Sequence, residues 1–167
     1  MNEQPTISQN KFETFPANSR VWVYQSKTAF SDAVAAKIHR HINAFTQQWT
    51  SHNRALRATG DVLYNHFIVL IVDESMADAS GCSIDSSVHF IKAVEQEYGV
   101  DLFDRMTFTY EKDGKIHAAD REKFAELYAS GEIDDNTTVF DNLVNTKSDF
   151  DQRWQVRLGD SWHKRMV

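Results

Sequence analysis

Residues 65–99 read NHFIVLIVDESMADASGCSIDSSVHFIKAVEQEYG. The six apolar residues at 67–72 are rich in β-branched side chains and predict a strand that is buried on both faces of a sheet. Small and turn-forming residues follow, and Ser83 is placed to cap a helix that carries a periodic apolar stripe and ends at Gly99. Asp85 then lies in the first turn, where it balances the helix dipole. The stretch therefore predicts a strand, a loop and a helix in one continuous unit.

Further strands and a helix are predicted on both sides of this unit. Residues 20–26 are apolar on both alternating faces and predict a second central strand. Residues 55–64 predict a weaker strand that pairs with the central strand as a hairpin, and alternation over 106–110 predicts a fourth strand. Between the first two strands lies a helix capped by Thr28 or Ser31. Its apolar stripe consists of Phe30, Val34, Ile38, Ile42, Phe45 and Trp49.

The order strand, helix, strand, strand, helix, strand is the βαββαβ order of a ferredoxin-like α+β fold. We expect one antiparallel sheet with the first and third strands in its middle. Residues 113–167 predict a short strand after a turn, a helix, another short strand and a last helix capped by Thr146. This C-terminal extension is expected to pack on the same core, over the sheet face that carries Trp22 and Tyr24.

The chain has the length of one domain. Residues 1–19 are polar and predict a lead-in that docks through Phe12 and Phe15. Residues 20–167 predict a single α+β domain, with its core at 20–112 and the extension after it.

Composition and charge argue against several classes of protein. The chain of 167 residues has a net charge of −6 and no cluster of Lys and Arg, which argues against nucleic acid or an anionic membrane surface as a partner. The N-terminal residues lack the basic start and apolar core of a secretory signal, and no apolar segment is long enough to span a membrane. We therefore expect a cytoplasmic protein without membrane insertion. The single Cys82 excludes an internal disulfide.

Six short stretches are spread over most of the chain. They are RVWVYQS at 20–26, FIVLIVDES at 67–75, SGCSIDSSVHFI at 80–91, QEYGVDLFDRM at 96–106, VFDNLVNTK at 139–147 and SWH at 161–163. Together they resemble a family of short uncharacterised proteins of Bacteroidetes bacteria, whose members often carry the label ABC transporter ATPase. The resemblance implies a link to a transporter but supplies no catalytic residues. The phosphate-loop spacing G-x-x-x-x-G-K-[ST] does not occur in the sequence, which argues against ATPase activity of the chain itself.

Cys82 is the sharpest candidate for chemistry. A thiol at the start of a helix faces the positive end of the helix dipole, which favours the thiolate. The N–H groups and hydroxyls of Ser83, Ser86 and Ser87 could bind an anion there. These residues predict a nucleophile with an oxyanion site or a ligand-binding loop. The alternative is that Cys82 packs as a small buried residue beneath the loop and Ser83 only caps the helix.

Three other residues are candidates for ligand binding. Asp73 and Glu74 follow the central strand, where carboxylates can bind a ligand or transfer a proton, although such residues more often bond a loop or face water. Trp162 is the aromatic residue that we least expect in the core, and aromatic side chains concentrate binding energy at interfaces. The histidines lack the spacing of a zinc site, so we expect neither a metal nor another cofactor.

These observations leave three interpretations of function. The first is a non-catalytic module that binds a protein or a small ligand and can form a homodimer. The second is a small thiol-dependent enzyme with Cys82 as its nucleophile. The third is a protein associated with an ATP-driven transporter, as the resemblance implies, without a phosphate loop of its own.

Overall fold

The computed structural model of the protein describes residues 11–75 and 77–167. From residue 20 onward its elements are β1 (Arg20–Gln25), α1 (Asp32–Gln48), β2 (Thr50–Ser51), β3 (Arg54–Ala55), β4 (Arg57–Leu63), β5 (Phe67–Asp73), α2 (Gly81–Tyr98), β6 (Thr107–Lys112), β7 (Lys115–Asp120), α3 (Arg121–Ala129), β8 (Thr138–Phe140), α4 (Lys147–Arg153) and β9 (Gln155–Arg157), followed by 3-10 turns at Leu158–Asp160 and Trp162–Met166. Helices and antiparallel sheets are mixed, which confirms the α+β class. Over the described ranges, no helix is long and apolar enough to cross a membrane.

The first sheet has the strand order β1-β5-β4, and both pairs are antiparallel. Every residue of β5 is buried, which confirms the central strand. β4 joins β5 through a tight hairpin in which Tyr64 and Asn65 both have positive φ. β1 was also predicted to be central, but this prediction is wrong, because β1 forms an edge of the sheet.

The ferredoxin-like topology is not confirmed. The first three predicted strands have the order 1-3-2 that such a fold requires, but the fourth, β6, lies in a second sheet with the order β7-β6-β8-β9. The edge of β1 where β6 was expected is taken by another segment, since the amide of Val21 donates to the carbonyl of Asn145 at 3.0 Å. The last residue of β1 bonds to β6 through its side chain, since Gln25 Nε2 donates to the carbonyl of Thr107 at 2.6 Å.

The two faces of the first sheet pack against different parts of the chain. Helices α1 and α2 cover the face that carries Tyr24 and Leu70. The opposite face carries Val23 and is covered by side chains from the lead-in and from the extension. These are Phe12, Phe15, Phe140, Val144 and Trp154. The extension therefore packs on this core as expected, but on the face opposite to the one predicted.

The lead-in docks through both predicted aromatic residues. Phe12 and Phe15 are buried in the core cluster of the first sheet. Residues 1–10 of the predicted lead-in lie outside the described residues.

The second sheet has its own core, formed with α3 and the C-terminal turns. The predicted helix and the predicted Thr146 cap in this region are confirmed, since Thr146 caps α4 by accepting from the amide of Asp149 at 3.1 Å. Asp120 caps α3 by accepting from the amide of Lys123 at 2.8 Å, and this cap was not predicted. β6 and β7 pair around a turn in which Asp113 and Gly114 have positive φ. Local capping and turn residues thus determine where each element begins and ends. Contacts between segments that are distant in sequence determine which sheet each strand joins.

Helix α1 lies so close to β4 that residue 60 has no room for a side chain. A Cβ atom built at Gly60 would stand 2.7 Å from both Ile42 Cγ2 and the carbonyl oxygen of Val69. Real Cβ contacts are essentially never this short, so glycine at this position allows the helix and sheet to approach each other.

Candidate functional site

Helix α2 begins earlier than predicted. Ser80, and not Ser83, is its N-cap, and the Ser80 hydroxyl accepts from the amide of Ser83 at 3.2 Å. The prediction that Ser83 caps the helix is therefore wrong. Asp85 also lies beyond the first turn, which contains no acidic residue, so it does not balance the dipole there as expected.

The three predicted serines use their hydroxyl groups within their own helix. Ser83 donates to the carbonyl of Ser80 at 2.8 Å, and Ser87 donates to the carbonyl of Ile84 at 2.6 Å. Both of these serines are 1% exposed. Ser86 donates to the carbonyl of Cys82 at 3.0 Å. Bonds of this kind satisfy the hydroxyl groups locally, on carbonyls of the preceding turn.

Cys82 is exposed as the second residue of α2. The alternative in which this cysteine packs beneath the loop is therefore wrong. Its neighbour Ser83 is fixed to the core, because the indole nitrogen of Trp49 donates to the Ser83 carbonyl at 2.8 Å. The thiol thus stands at the surface of a well-anchored helix start.

Asp73 and Glu74 each pair with a different arginine. Asp73 is buried, and its Oδ2 lies 2.6 Å from Arg57 Nη1. Hydrogen bonds from Ser75, assisted by Arg57, lower the pKa of the Asp73 carboxyl. Glu74 lies 3.3 Å from Arg20 Nε, and burial raises the pKa of its carboxyl. Among the described residues no group of three or more His, Cys, Asp or Glu side chains could hold a metal ion.

Trp162 lies at the joint between the two sheets. Its ring stacks on His163, with 3.8 Å between ring centroids, and meets Phe108 edge to face. Its indole nitrogen donates to Asp141 Oδ1 at 2.9 Å. Trp162 is half-buried and lines a cleft that none of the other sequence-predicted site residues lines.

We call this feature the inter-sheet cleft. It is formed by the end of β1, the start of β6, residues 102–105, residues 140–143 and residues 162–163. It is open to solvent, and its cavity volume is about 50 Å³. Its apolar wall consists of Val23, Leu102, Phe103, Phe108, Phe140 and Leu143.

A buried network of amide and hydroxyl groups forms the polar part of the cleft. Gln25 is its centre, because its Oε1 accepts from Asn142 Nδ2 at 2.7 Å and from Thr109 Oγ1 at 3.1 Å. Asn142 Oδ1 in turn accepts from the indole nitrogen of Trp154 at 2.9 Å. The two sheets are thus joined by side-chain hydrogen bonds instead of a continuous backbone ladder, and this leaves the space of the cleft between them.

His163 is the most unusual residue in the cleft. It is 1% exposed, and its Nδ1 lies 2.7 Å from the hydroxyl of Ser161. Burial lowers the pKa of His163 to about 4, and the nearby carboxylate of Asp141 only partly opposes this. The ring is therefore neutral at neutral pH. Within the described part of the chain, Nε2 of this ring has no hydrogen-bond partner.

Charged groups stand at the mouth of the cleft. Asp104 accepts from the amide of Met106 and the hydroxyl of Thr107, both at 2.7 Å, and these bonds lower the pKa of its carboxyl. Lys27 Nζ lies 3.4 Å from the same carboxylate. Arg105 is exposed beside it and lines the cleft.

Sequence reasoning found only Trp162 among the residues of this cleft and missed Gln25, Arg105, Asn142 and His163. These residues are far apart in the chain and carry no spacing that indicates a site. One available signal was the set of stretches quoted for the family resemblance. Four of those six stretches supply residues that line the cleft, namely the ones at 20–26, 96–106, 139–147 and 161–163.

Comparison with protein-family models, with curated proteins and with solved structures finds no match to this chain. The candidate site is therefore argued from its own geometry.

Proposed function

We propose that the protein is a binding module for a small molecule, which occupies the inter-sheet cleft. The observation that carries this proposal is His163, a neutral histidine that is 1% exposed and lines the cleft, with its ring hydrogen bond made at Nδ1. The second nitrogen of a neutral imidazole can donate or accept a hydrogen bond, so it offers a ligand in the cleft a polar contact. A mostly apolar cleft with a few convergent polar groups is also the usual form of a small-molecule site. The expected cytoplasmic location belongs to this proposal.

The indole N–H groups offer a direct readout of binding by NMR, because the 4 tryptophans of the chain lie both at the cleft and away from it. Trp162 lines the cleft, and Trp154 donates to Asn142 within its wall. Trp49 is buried in a cluster that contains none of the cleft residues. Its signal serves as the internal control.

The test is a titration of isotope-labelled protein with a library of polar fragments. We expect some fragments to shift the Trp162 signal saturably and to leave the Trp49 signal in place. The variant His163→Phe keeps an aromatic ring beside Phe108 but removes Nε2, so it should weaken binding of the same fragments. His52→Gln changes an exposed histidine outside the cleft and is the matched control. A library that shifts none of the signals, or only that of Trp49, overturns the proposal.

A small thiol-dependent enzyme is a second candidate, and the exposure of Cys82 at the second position of α2 favours it. No acidic side chain lies in the first turn of this helix, so the positive end of its dipole is uncompensated there. Cys82 does not line the inter-sheet cleft, so the two candidate functions use separate surfaces and can be tested independently.

A further inference from the structure

The charge at the mouth of the cleft favours an anion. Arg105 is exposed, and among the residues described no Asp or Glu forms an ion pair with it. Its neighbour Asp104 is already compensated by Lys27 and by two hydrogen bonds. Deeper in the structure, the carboxylate of Asp141 is paired with Arg153 at 2.8 Å, and His163 is neutral at neutral pH. Arg105 is therefore a cationic group of the cleft with which an anionic ligand can pair.

The cleft retains hydrogen-bond donors for a ligand. Gln25 and Asn142 each use one of their two amide hydrogens in the buried network. His163 can also present a proton at Nε2 when its Nδ1 accepts from the hydroxyl of Ser161. The central acceptor, Gln25 Oε1, already takes two hydrogen bonds. A ligand with acceptor oxygens can therefore bond to this part of the cleft.

The apolar wall argues that the ligand is more than a bare anion. Phe103 and Leu143 line the cleft near its mouth, and Leu143 is 56% exposed. Met106, next to Arg105, is 65% exposed. Apolar surface of this kind gains free energy when an apolar body covers it, which acetate or inorganic phosphate cannot do.

We propose that the ligand is a small organic carboxylate with an apolar body, whose carboxylate pairs with Arg105. The apolar body covers Phe103 and Leu143, and further oxygen atoms of the ligand accept from the free N–H groups of Asn142 and His163. This inference rests on the proposed function, because it names the class of ligand for the same cleft.

Benzoate, benzamide and benzylamine form a matched series of probes, because they share one ring and differ in charge and hydrogen bonding. Each is titrated into the full chain and followed by the Trp162 indole signal. We expect benzoate to bind at least about tenfold more tightly than benzamide, because a guanidinium binds a carboxylate through charge-assisted bonds. Benzylamine should bind more weakly than both. Acetate and inorganic phosphate should bind more weakly than benzoate, because they have no apolar body.

A pair of arginine variants isolates the role of charge. Arg105→Gln should weaken the binding of benzoate by about tenfold and leave the binding of benzamide unchanged. Arg121→Gln removes an exposed arginine that does not line the cleft, and it should change neither probe. Both substitutions are at exposed positions, so the fold is not at risk.

The outcomes separate this inference from the proposed function. If other fragments shift Trp162 but benzoate binds no better than benzamide, or if Arg105→Gln has no effect on benzoate, the carboxylate inference is overturned and the binding module stands. If phosphate binds as tightly as benzoate, the inference that the ligand has an apolar body is overturned. If neither the fragments nor these probes shift the Trp162 signal, both proposals fail.

Discussion

The indole nitrogen of Trp162 donates a hydrogen bond to the buried carboxylate of Asp141, across 2.9 Å. The same oxygen accepts from the amide of Leu143 at 3.0 Å, and the other oxygen accepts from Arg153 at 2.8 Å. This one carboxylate therefore connects the end of β8, helix α4 and the C-terminal turns.

Removing this carboxylate should be costly. We expect Asp141→Asn to lower the free energy of unfolding by about 3 kcal/mol, because it weakens bonds to a buried charge and leaves Arg153 without its closest partner. Trp162→Phe, which loses one of these bonds, should cost about 1–2 kcal/mol. Urea unfolding followed by circular dichroism measures both. Asp160→Asn affects an exposed pair at 3.5 Å and should cost less than about 0.5 kcal/mol. A cost for Asp141→Asn as small as this control would contradict the prediction.

Two glycines provide a matched test of the packing between α1 and the first sheet. Gly60→Ala should destabilise the protein by about 2 kcal/mol, because its new methyl group would collide with Ile42 and with the backbone at Val69. Gly81→Ala should change stability by less than about 0.5 kcal/mol, since nothing lies within 4 Å of a Cβ at that position. Thermal and urea unfolding of the two variants give the comparison. Equal effects would show that α1 and β4 are not in the close contact described.

The stability of the protein should depend on pH through His163. This side chain takes up a proton near pH 6.5 in the unfolded chain but only at about 4 in the folded one. Below pH 6.5 the unfolded state therefore binds more protons, and stability falls as the pH decreases towards 4. The expected loss between pH 7 and pH 5 is about 2 kcal/mol.

Urea unfolding at both pH values measures this loss. His163→Phe should remove most of it, whereas His52→Gln, at an exposed position, should retain it. A pH dependence that is the same in all three proteins would assign the effect to other groups.

Alkylation of Cys82 tests the second candidate function. The thiol is exposed and is the only cysteine, so iodoacetamide should label the native protein at a single site without unfolding. If Cys82 is the nucleophile of an enzyme, the native residue should react faster at neutral pH than the same residue in urea. Cys82→Ser is the unlabelled control. Equal rates in the native and unfolded protein would argue against a thiol-dependent enzyme, and protection until unfolding would contradict the exposed position itself.

Local patterns predicted most of the elements but not their assembly. The apolar run of β5, the hairpin between β4 and β5, and the cap at Thr146 depend on residues that are close in sequence, and the structure confirms them. The predicted cap of α2 was wrong because Ser80 and Ser83 lie only three residues apart and either can cap a helix. In the structure Ser80 is the cap. The place of β6 could not be predicted, because it depends on whether a later segment occupies the edge of β1.

The candidate site was even less accessible to sequence reasoning. Its central hydrogen bond joins Gln25 to Asn142, which are 117 positions apart, and no periodicity or spacing reports a contact of that length. Arg105 and His163 are equally unremarkable in sequence. Their neighbours in space distinguish them: Arg105 has no paired carboxylate in the described part of the chain, and burial keeps His163 neutral.

The sequence by itself determined the α+β class, the buried central strand, the hairpin turn that follows β4 and the cap at Thr146, because these follow from side-chain periodicity and from hydrogen bonds over a few residues. Only the tertiary structure decided that β1 is an edge strand, that β6 begins a second sheet and that a cleft lies between the two sheets. Those outcomes depend on competition between distant segments for one strand edge and one core. Residues 145–146 pair with the start of β1 at its free edge. The side chain of Gln25 then connects the end of β1 to β6 by a hydrogen bond.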